Sequence, residues 1–299
     1  MNFPRISVIT PTFNSGDLLE ETLTSVLSQG YPNLEFIVID GGSGDQTTEI
    51  LERYRAQLHY CVSEPDGGQY DAINKGMRYA SGEILCWLNA DDLLLPKSLF
   101  TIGSIFQTFP HVEWVSTLQP ASWDATGHLA RVDAIPGFAR AAFLDGLFLP
   151  TTAKKGYWLQ QESSFWRRSL WEKIGSQIPN YALAGDFALW CAFYEHADLY
   201  GVDYPLAGFR TVRGQRSEDN ARYLAEASQA LSVLRKRLVW SHTLASTLCY
   251  LPLTHALAQF PHFRSLIQKY WGYAGVRIRN TDTKAERAQW QLEHYRFLP

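Results

Sequence analysis

Residues 84–92 read Ile-Leu-Cys-Trp-Leu-Asn-Ala-Asp-Asp, and the rest of the chain is best understood outward from them. Five consecutive apolar residues suit a strand covered on both faces, as in a parallel sheet. The strand ends at Asn89, followed by two adjacent carboxylates, Asp91 and Asp92. The same pattern repeats upstream. Arg5–Ile9 is a short β-branched run, after which Thr10, Pro11, Thr12 and Asn14 read as a loop. Residues 34–39 (LEFIVI) form a near-continuous apolar strand closed by Asp40, and Leu58–Val62 reads as another. Helical spacing fills the gaps. Leu18, Leu19, Thr22, Val26 and Leu27 mark a helix from Gly16 to Gln29, which Gly30 and Pro32 stop. Asp45 is placed to cap a helix running to Tyr54, a third helix covers Tyr70–Tyr79, and Pro96 opens a fourth. Alternating strands and helices predict an α/β fold with a mostly parallel sheet flanked by helices. Ligands of such sheets bind beyond the carboxyl ends of the strands, where Asp40 and the Asp91-Asp92 pair fall.

Composition narrows the class. The 299 residues carry a net charge of −3, with 46% hydrophobic and 19% charged residues. That is enough apolar material for a packed core, and the balance argues against a protein that grips nucleic acid phosphates. No two of Cys61, Cys86, Cys191 and Cys249 lie within ten residues of each other. The spacing excludes CxxC and zinc motifs and reads as buried thiols of a reducing cytosol. Met1–Ile6 has no basic region leading into an apolar run, so a cytoplasmic protein is expected. Leu238–Phe260 is mostly apolar over a spanning length, but His242, Pro252, His255 and Gln259 favour a buried or interfacial helix pair.

Beyond Trp114 the periodicity weakens, and residues 119–157 read as a variable insertion with a short helix near Phe138–Asp145. Pattern returns with a strand at Ser163–Trp166, helices at Ser169–Ile174 and Asp186–His196, and a strand at Leu206–Val212. After Ser217 the chain is expected to be helical to its end. The implied division is 1–226 and a helical C-terminal extension, 227–299. Arg235, Lys236, Arg237, Arg264, Lys269, Arg277, Arg279, Lys284 and Arg287 mix there with Trp240, Tyr250, Phe260, Phe263, Tyr270, Trp271 and Tyr273. That mixture predicts peripheral contact with the inner face of a membrane; the alternatives are a helical cap or a homodimer surface.

Several constellations carry chemistry. Adjacent carboxylates at Asp91 and Asp92 repel each other. A magnesium or manganese ion relieves the repulsion and completes its shell with substrate phosphates. The bland alternative is an acidic first turn of a helix. Asp40 precedes Gly41-Gly42-Ser43-Gly44, which is no dinucleotide fingerprint, because Thr47 stands where the third glycine belongs. It suits hydrogen bonds from a base or ribose, or else a turn. Asp71, Asn74 and Lys75 share a helical face, where Asp71 would hold a nucleoside and Lys75 would offset diphosphate charge; otherwise they form a surface pair. Asp186, alone in the apolar run Tyr181–Trp190, reads as a general base or an N-cap. Trp158, Trp166, Trp171 and Trp190 offer sugar-stacking faces or core packing, and Arg210, Arg213 and Arg216 would reach a diphosphate or lie in a solvated loop.

Six segments together resemble a known family: 7–29 (SVITPTFNSGDLLEETLTSVLSQ), 36–47 (FIVIDGGSGDQT), 63–92 (SEPDGGQYDAINKGMRYASGEILCWLNADD), 160–175 (QQESSFWRRSLWEKIG), 184–190 (AGDFALW) and 205–217 (PLAGFRTVRGQRS). In order and spacing, Arg5–Glu226 looks like a family 2 glycosyltransferase of the nucleotide-sugar-dependent, inverting type with the Rossmann-like GT-A fold. The resemblance implies that Thr10, Pro11 and Asn14 line the nucleotide pocket, with Asp40 and Asp71 on base and ribose and Asn74 and Lys75 close by. Asn89-Ala90-Asp91 takes the place of the family's Asp-x-Asp motif with Asn first, leaving the metal to Asp91, helped by Asp92. Asp186 matches the catalytic base, and Gln161, Glu162, Trp190 and Arg210 match segments facing donor or acceptor. Implied partners are a nucleoside-diphosphate sugar such as a UDP-sugar, a divalent metal, and a carbohydrate or lipid-linked acceptor, as in polysaccharide, O-antigen or glycolipid synthesis. Two rival functions are an inactive nucleotide-sugar or carbohydrate binding protein and a sugar nucleotidyltransferase. The latter would carry a glycine-rich basic loop where Thr10-Pro11-Thr12 stands.

Overall fold

The computed structural model describes residues 3–150, 157–241, 260–282, 284–285 and 288–299. The apolar stretch read between Leu238 and Phe260 therefore lies mostly outside the described residues, as do Cys249, Tyr250 and Arg287.

The N-terminal half alternates strand and helix: β1 (Ile6–Thr12), α1 (Gly16–Leu27), β2 (Leu34–Asp40), α2 (Thr47–Tyr54), β3 (Tyr60–Ser63), α3 (Gln69–Tyr79) and β4 (Ile84–Trp87). Strands β3, β2, β1 and β4 lie side by side and parallel. β1 is buried along its whole length, as a strand covered by helices on both faces must be. Gly76 lets α3 settle on this sheet. A Cβ there would come within 2.6 Å of Ile9 Cγ2.

One expectation changes here. Thr10-Pro11-Thr12 is strand, paired with Val38, Ile39 and Asp40. Proline removes a ladder donor and is normally confined to strand edges. Pro11 is tolerated because the pairing of β4 with β1 stops at Ile9, so β1 is an edge from there on. The unpaired stub opens the space that becomes the cleft.

The remaining elements are β5 (Leu93–Leu94), α4 (Ser98–Thr108), β6 (Trp114–Thr117), β7 (Ala121–Trp123), β8 (Leu129–Val132), α5 (Arg140–Leu144), β9 (Phe165–Arg167), α6 (Arg168–Lys173), α7 (Gly185–Tyr194), β10 (Tyr200–Val202), β11 (Ala207–Arg210), α8 (Asn220–Arg237), α9 (Pro261–Trp271), β12 (Tyr273–Asn280) and β13 (Trp290–Phe297). Among the described residues the main sheet has the order β13-β12-β10-β6-β9-β4-β1-β2-β3, with β9 and β13 antiparallel to their neighbours. A second sheet, β5-β11-β7-β8, stands beside it. The insertion at 119–157 thus contains the β7–β8 hairpin as well as the short helix expected near Phe138.

The tail departs furthest from expectation. It is not helical to its end, because β12 and β13 pair with each other and extend the main sheet through β10. The insertion holds it in place. Tyr295 donates its hydroxyl to the Pro136 carbonyl at 2.9 Å, and a Cβ on Gly137 would collide with Tyr295 and Phe297. The boundary read at 226/227 falls inside α8.

Beneath the carboxyl ends of the strands lies a block of four fully buried tryptophans. Trp190 stacks on Trp87 at 6.1 Å and on Trp114 at 5.6 Å, and Trp166 meets Trp87 edge-on at 5.7 Å. Trp190 is therefore core rather than a ligand-facing group, and Trp166 and Trp171 are buried with it. Replacing Trp190 by alanine should cost about 3–5 kcal/mol of stability, the range for emptying a large aromatic site. Denaturant unfolding of Trp190→Ala checks this, and a loss below about 1 kcal/mol would contradict the packing role.

Candidate active site

A cleft of about 1220 Å³ opens at the carboxyl ends of β1 and β4. Its floor comes from residues 11–15 and 89–91, and its far wall from Asp186 at the start of α7, the 212–217 loop and Tyr223 of α8. Asp91 and Asp186, more than ninety residues apart in sequence, face this one cavity.

The strand end that carries Asp91 is fixed by its neighbour. Asp92 is fully buried and accepts hydrogen bonds from the Arg210 backbone N–H at 2.9 Å and from Asn89 Nδ2 at 2.9 Å. Thr22 donates its hydroxyl to the Ala90 and Asp92 carbonyls, both at 2.9 Å. Burial, then the nearby Glu162 and Asp91, push the Asp92 carboxyl well above the usual range. Asp92 is thus an anchor and not a metal ligand, which corrects the expectation. Asp91 remains in the cleft, where Gln215 Nε2 donates to it at 2.7 Å. Asn89 accepts from Gln69 Nε2 at 2.7 Å and donates to Gln161 at 3.2 Å.

Glu162 lines the same wall, buried, with the Asp92 carboxyl as its neighbour. Burial, with smaller contributions from Asp91 and Asp186, raises it to about 7. Asp186 is raised to about 6, again chiefly by burial. Its carboxylate accepts the Tyr223 hydroxyl, 3.1 Å from both oxygens, and the Phe187 N–H at 2.7 Å. These donors favour the ionised form and limit the rise. Gly185 makes the approach feasible, since a Cβ there would sit 2.7 Å from the Tyr70 ring. Tyr70 in turn donates to the Leu183 carbonyl at 2.7 Å.

The nucleotide-side expectations divide. Pro11 and Asn14 line the cleft, whereas Thr10 is buried behind them, its hydroxyl without a partner. Asn14 takes a positive φ of 47° and locks onto the next turn: its N–H donates to Ser43 Oγ at 2.8 Å and its Oδ1 accepts the Gly44 N–H at 2.9 Å. Asp40 is fully buried and accepts from Ser43 and Ser63, so it shapes the floor from below. Asp66, which the sequence did not single out, reaches the cleft beside Gly41.

Four expected ligand residues do not line the cleft. Asp71 accepts the Gly67 N–H at 2.9 Å. Asn74 accepts the Ile178 N–H at 2.8 Å, and Lys75 is ion-paired with Glu64. Arg210 buries its guanidinium against Glu21. Among the described residues the cations lining the cleft are instead Arg213 and Arg216, from the loop after β11, together with Arg131 from the insertion. Of the tryptophans read as sugar-stacking faces, Trp158 lies at the mouth, half exposed and tilted against Tyr223 at 5.6 Å.

Among the described residues no group of three or more His, Cys, Asp or Glu side chains is arranged to hold a metal. Asp91 offers a single hard carboxylate facing an open polar cavity. That fits a magnesium or manganese ion whose shell is completed by phosphate and water, as is usual for these ions.

The mostly parallel α/β sheet flanked by helices matches the fold of solved GT-A-type glycosyltransferases. Residues 7–111 match the model of glycosyl transferase family 2. An uncharacterized glycosyltransferase of Mycobacterium tuberculosis is 34% identical over 184 residues, covering 61% of this chain and 66% of that protein. The chain thus spans just under two thirds of that relative. The putative teichuronic acid biosynthesis glycosyltransferase TuaG of Bacillus subtilis is 38% identical over 92 residues, 30% of this chain and 36% of its own. Among solved structures, Staphylococcus aureus TarS in complex with UDP-GlcNAc aligns with a TM-score of 0.56 at 19% identity, covering 87% of this chain and 81% of that one. Glucosyl-3-phosphoglycerate synthase of Mycobacterium tuberculosis, in complex with Mn2+, UDP and phosphoglyceric acid, aligns at 0.53 with 18% identity, covering 77% and 78%. At such identities the likeness is one of fold.

Removing the Tyr223 hydroxyl withdraws a donor from the ionised form of Asp186. In Tyr223→Phe the Asp186 pKa should therefore rise further, by about half to one unit for a hydrogen bond of roughly 1 kcal/mol. Carboxyl-carbon NMR titration of wild type and variant measures it; an unchanged or lowered value would refute the assignment.

Proposed function

We propose that the chain is an inverting glycosyltransferase that moves a sugar from a nucleoside-diphosphate donor to an acceptor hydroxyl. The observation that carries this reading is the placement of Asp91 and Asp186 on one cleft. A donor diphosphate lies along the floor, beside Asp91 and within reach of the 213–216 loop cations. Its nucleoside occupies the end bounded by Pro11–Ser15, Gly41 and Asp66, and a UDP-sugar is the donor of choice, by analogy with the UDP-GlcNAc complex of TarS. The acceptor enters past Trp158, and its class is a carbohydrate or a lipid-linked saccharide of a polysaccharide, O-antigen or glycolipid. Asp91 would hold a divalent ion, which supplies positive charge against the anionic leaving group.

Asp186 takes the proton of the attacking hydroxyl. A carboxylate at about 6 is mostly ionised at neutral pH yet more basic than an exposed one, which suits a general base. Tyr223 and the Phe187 N–H hold it in one orientation. Attack comes from the side opposite the diphosphate, so the anomeric centre inverts.

Asp186→Asn should lower kcat by about 10²–10⁴-fold while donor affinity stays within a few-fold of wild type. Turnover near the wild-type rate would end the base assignment. Because the base works only when ionised, activity should fall as pH drops through about 6. A kcat profile flat from pH 5 to 8 argues against it. In Asp91→Ala, manganese should no longer tighten UDP binding. Calorimetry with and without the metal tests this, and an unchanged manganese effect would remove Asp91 from the site.

A further inference from the structure

Five large apolar side chains that the fold leaves exposed fall within twelve residues of one another: Phe260, Phe263, Leu266, Tyr270 and Trp271, each 44–61% exposed. Four of them lie on α9 or at its end, and Phe263, Leu266 and Tyr270 follow the i, i+3, i+7 spacing of a single helical stripe. Within α9, Ile267 is the buried residue, and Gln268 bonds to the Arg296 carbonyl. Ile267 neighbours Phe263 and Tyr270 on the helix surface, so α9 is fastened along the edge of the same face that carries the exposed ridge. Scattered exposed apolar residues need no explanation, but a contiguous set does.

Charge gives the second, independent observation. Between Glu226 and Asp282 the sequence contains no acidic residue at all, while it carries Arg235, Lys236, Arg237, Arg264, Lys269, Arg277 and Arg279. This segment stands at +7 in a chain of net −3, so the other residues sum to −10. Among the ion pairs described, Arg237 is engaged by Glu195, and Arg277 and Arg279 share Glu293. Arg264 and Lys269 carry charge beside the ridge on the same helix. Lys269 and Arg264 sit on α9 itself, and Lys269 lies 5.5 Å from the Tyr270 ring. The 26 residues between Arg237 and Arg264 contain no formal charge.

Aromatic and aliphatic side chains on a helix bordered by cations, with no carboxylates, are the chemistry of the water–bilayer boundary. The segment that carries this ridge supplies cations and no carboxylates. No helix among the described residues is long and apolar enough to cross a membrane. We propose that α9 lies flat on an anionic bilayer, with Phe263, Leu266 and Tyr270 in the acyl boundary and Arg264 and Lys269 on the lipid phosphates.

The test is co-sedimentation of the full chain with phosphatidylcholine vesicles, with and without roughly one third phosphatidylglycerol. Binding should need the anionic lipid and weaken in high salt. Combining Phe263→Ser, Leu266→Ser and Tyr270→Ser should lower partitioning about tenfold or more. Arg264→Glu with Lys269→Glu should lower it by about tenfold as well. Since these side chains are exposed, melting temperatures and UDP binding should stay at wild-type values. Absence of anionic-vesicle binding by the wild type overturns the proposal, as does binding that neither variant weakens. So does a wild-type dimer that the serine variant dissociates while vesicles bind neither protein, because a second copy would then be the occupant.

Discussion

The arrangement rests on a carboxyl group that does no chemistry. Asp92 is buried at the end of β4 and ties Asn89 to the backbone of β11. Burial and the proximity of Glu162 disfavour its ionised form, and its two hydrogen bonds make it a clamp. Once Asp92 is committed inward, Asp91 has to point the other way. One acid of an adjacent pair is sacrificed to orient the other.

The opposite wall is built by the same economy. Gly185 permits α7 to begin against the Tyr70 ring, and Tyr223 reaches in from α8 to hold the Asp186 carboxylate. Three segments distant in sequence therefore fix a single oxygen pair. The tryptophan block behind α7 makes that placement rigid, because Trp190 cannot shift without disturbing Trp87, which underlies the β4 end bearing Asp91.

Much of this was legible in the chain itself. Apolar runs closed by Asp or Asn located the strands and their rim, and the isolation of Asp186 in an apolar run marked it. Helical spacing correctly put Asp71, Asn74 and Lys75 on one face, but spacing says nothing about which way that face turns, and neighbours claimed all three. Arg210 carried the same ambiguity: a cation near a cleft in sequence became a buried partner of Glu21, while Arg213 and Arg216 took the open side. Asp66 and Tyr223 carried no motif signal that could have raised them above ordinary loop and helix residues. The tail was read as helix because its aromatic and basic residues suit either period, and pairing with β10 decided for strand.

Local pattern determined what each segment would be: which runs are strands, where they end, and which acids stand at those ends. Those properties follow from side-chain periodicity and backbone preference, which act over a few residues. Which of two adjacent acids faces the ligand, which arginine is spent inside the protein, and that the last strands complete the first sheet were decided only when distant segments met. Burial and hydrogen-bond competition are set by those neighbours, and no local stretch of the chain contains them.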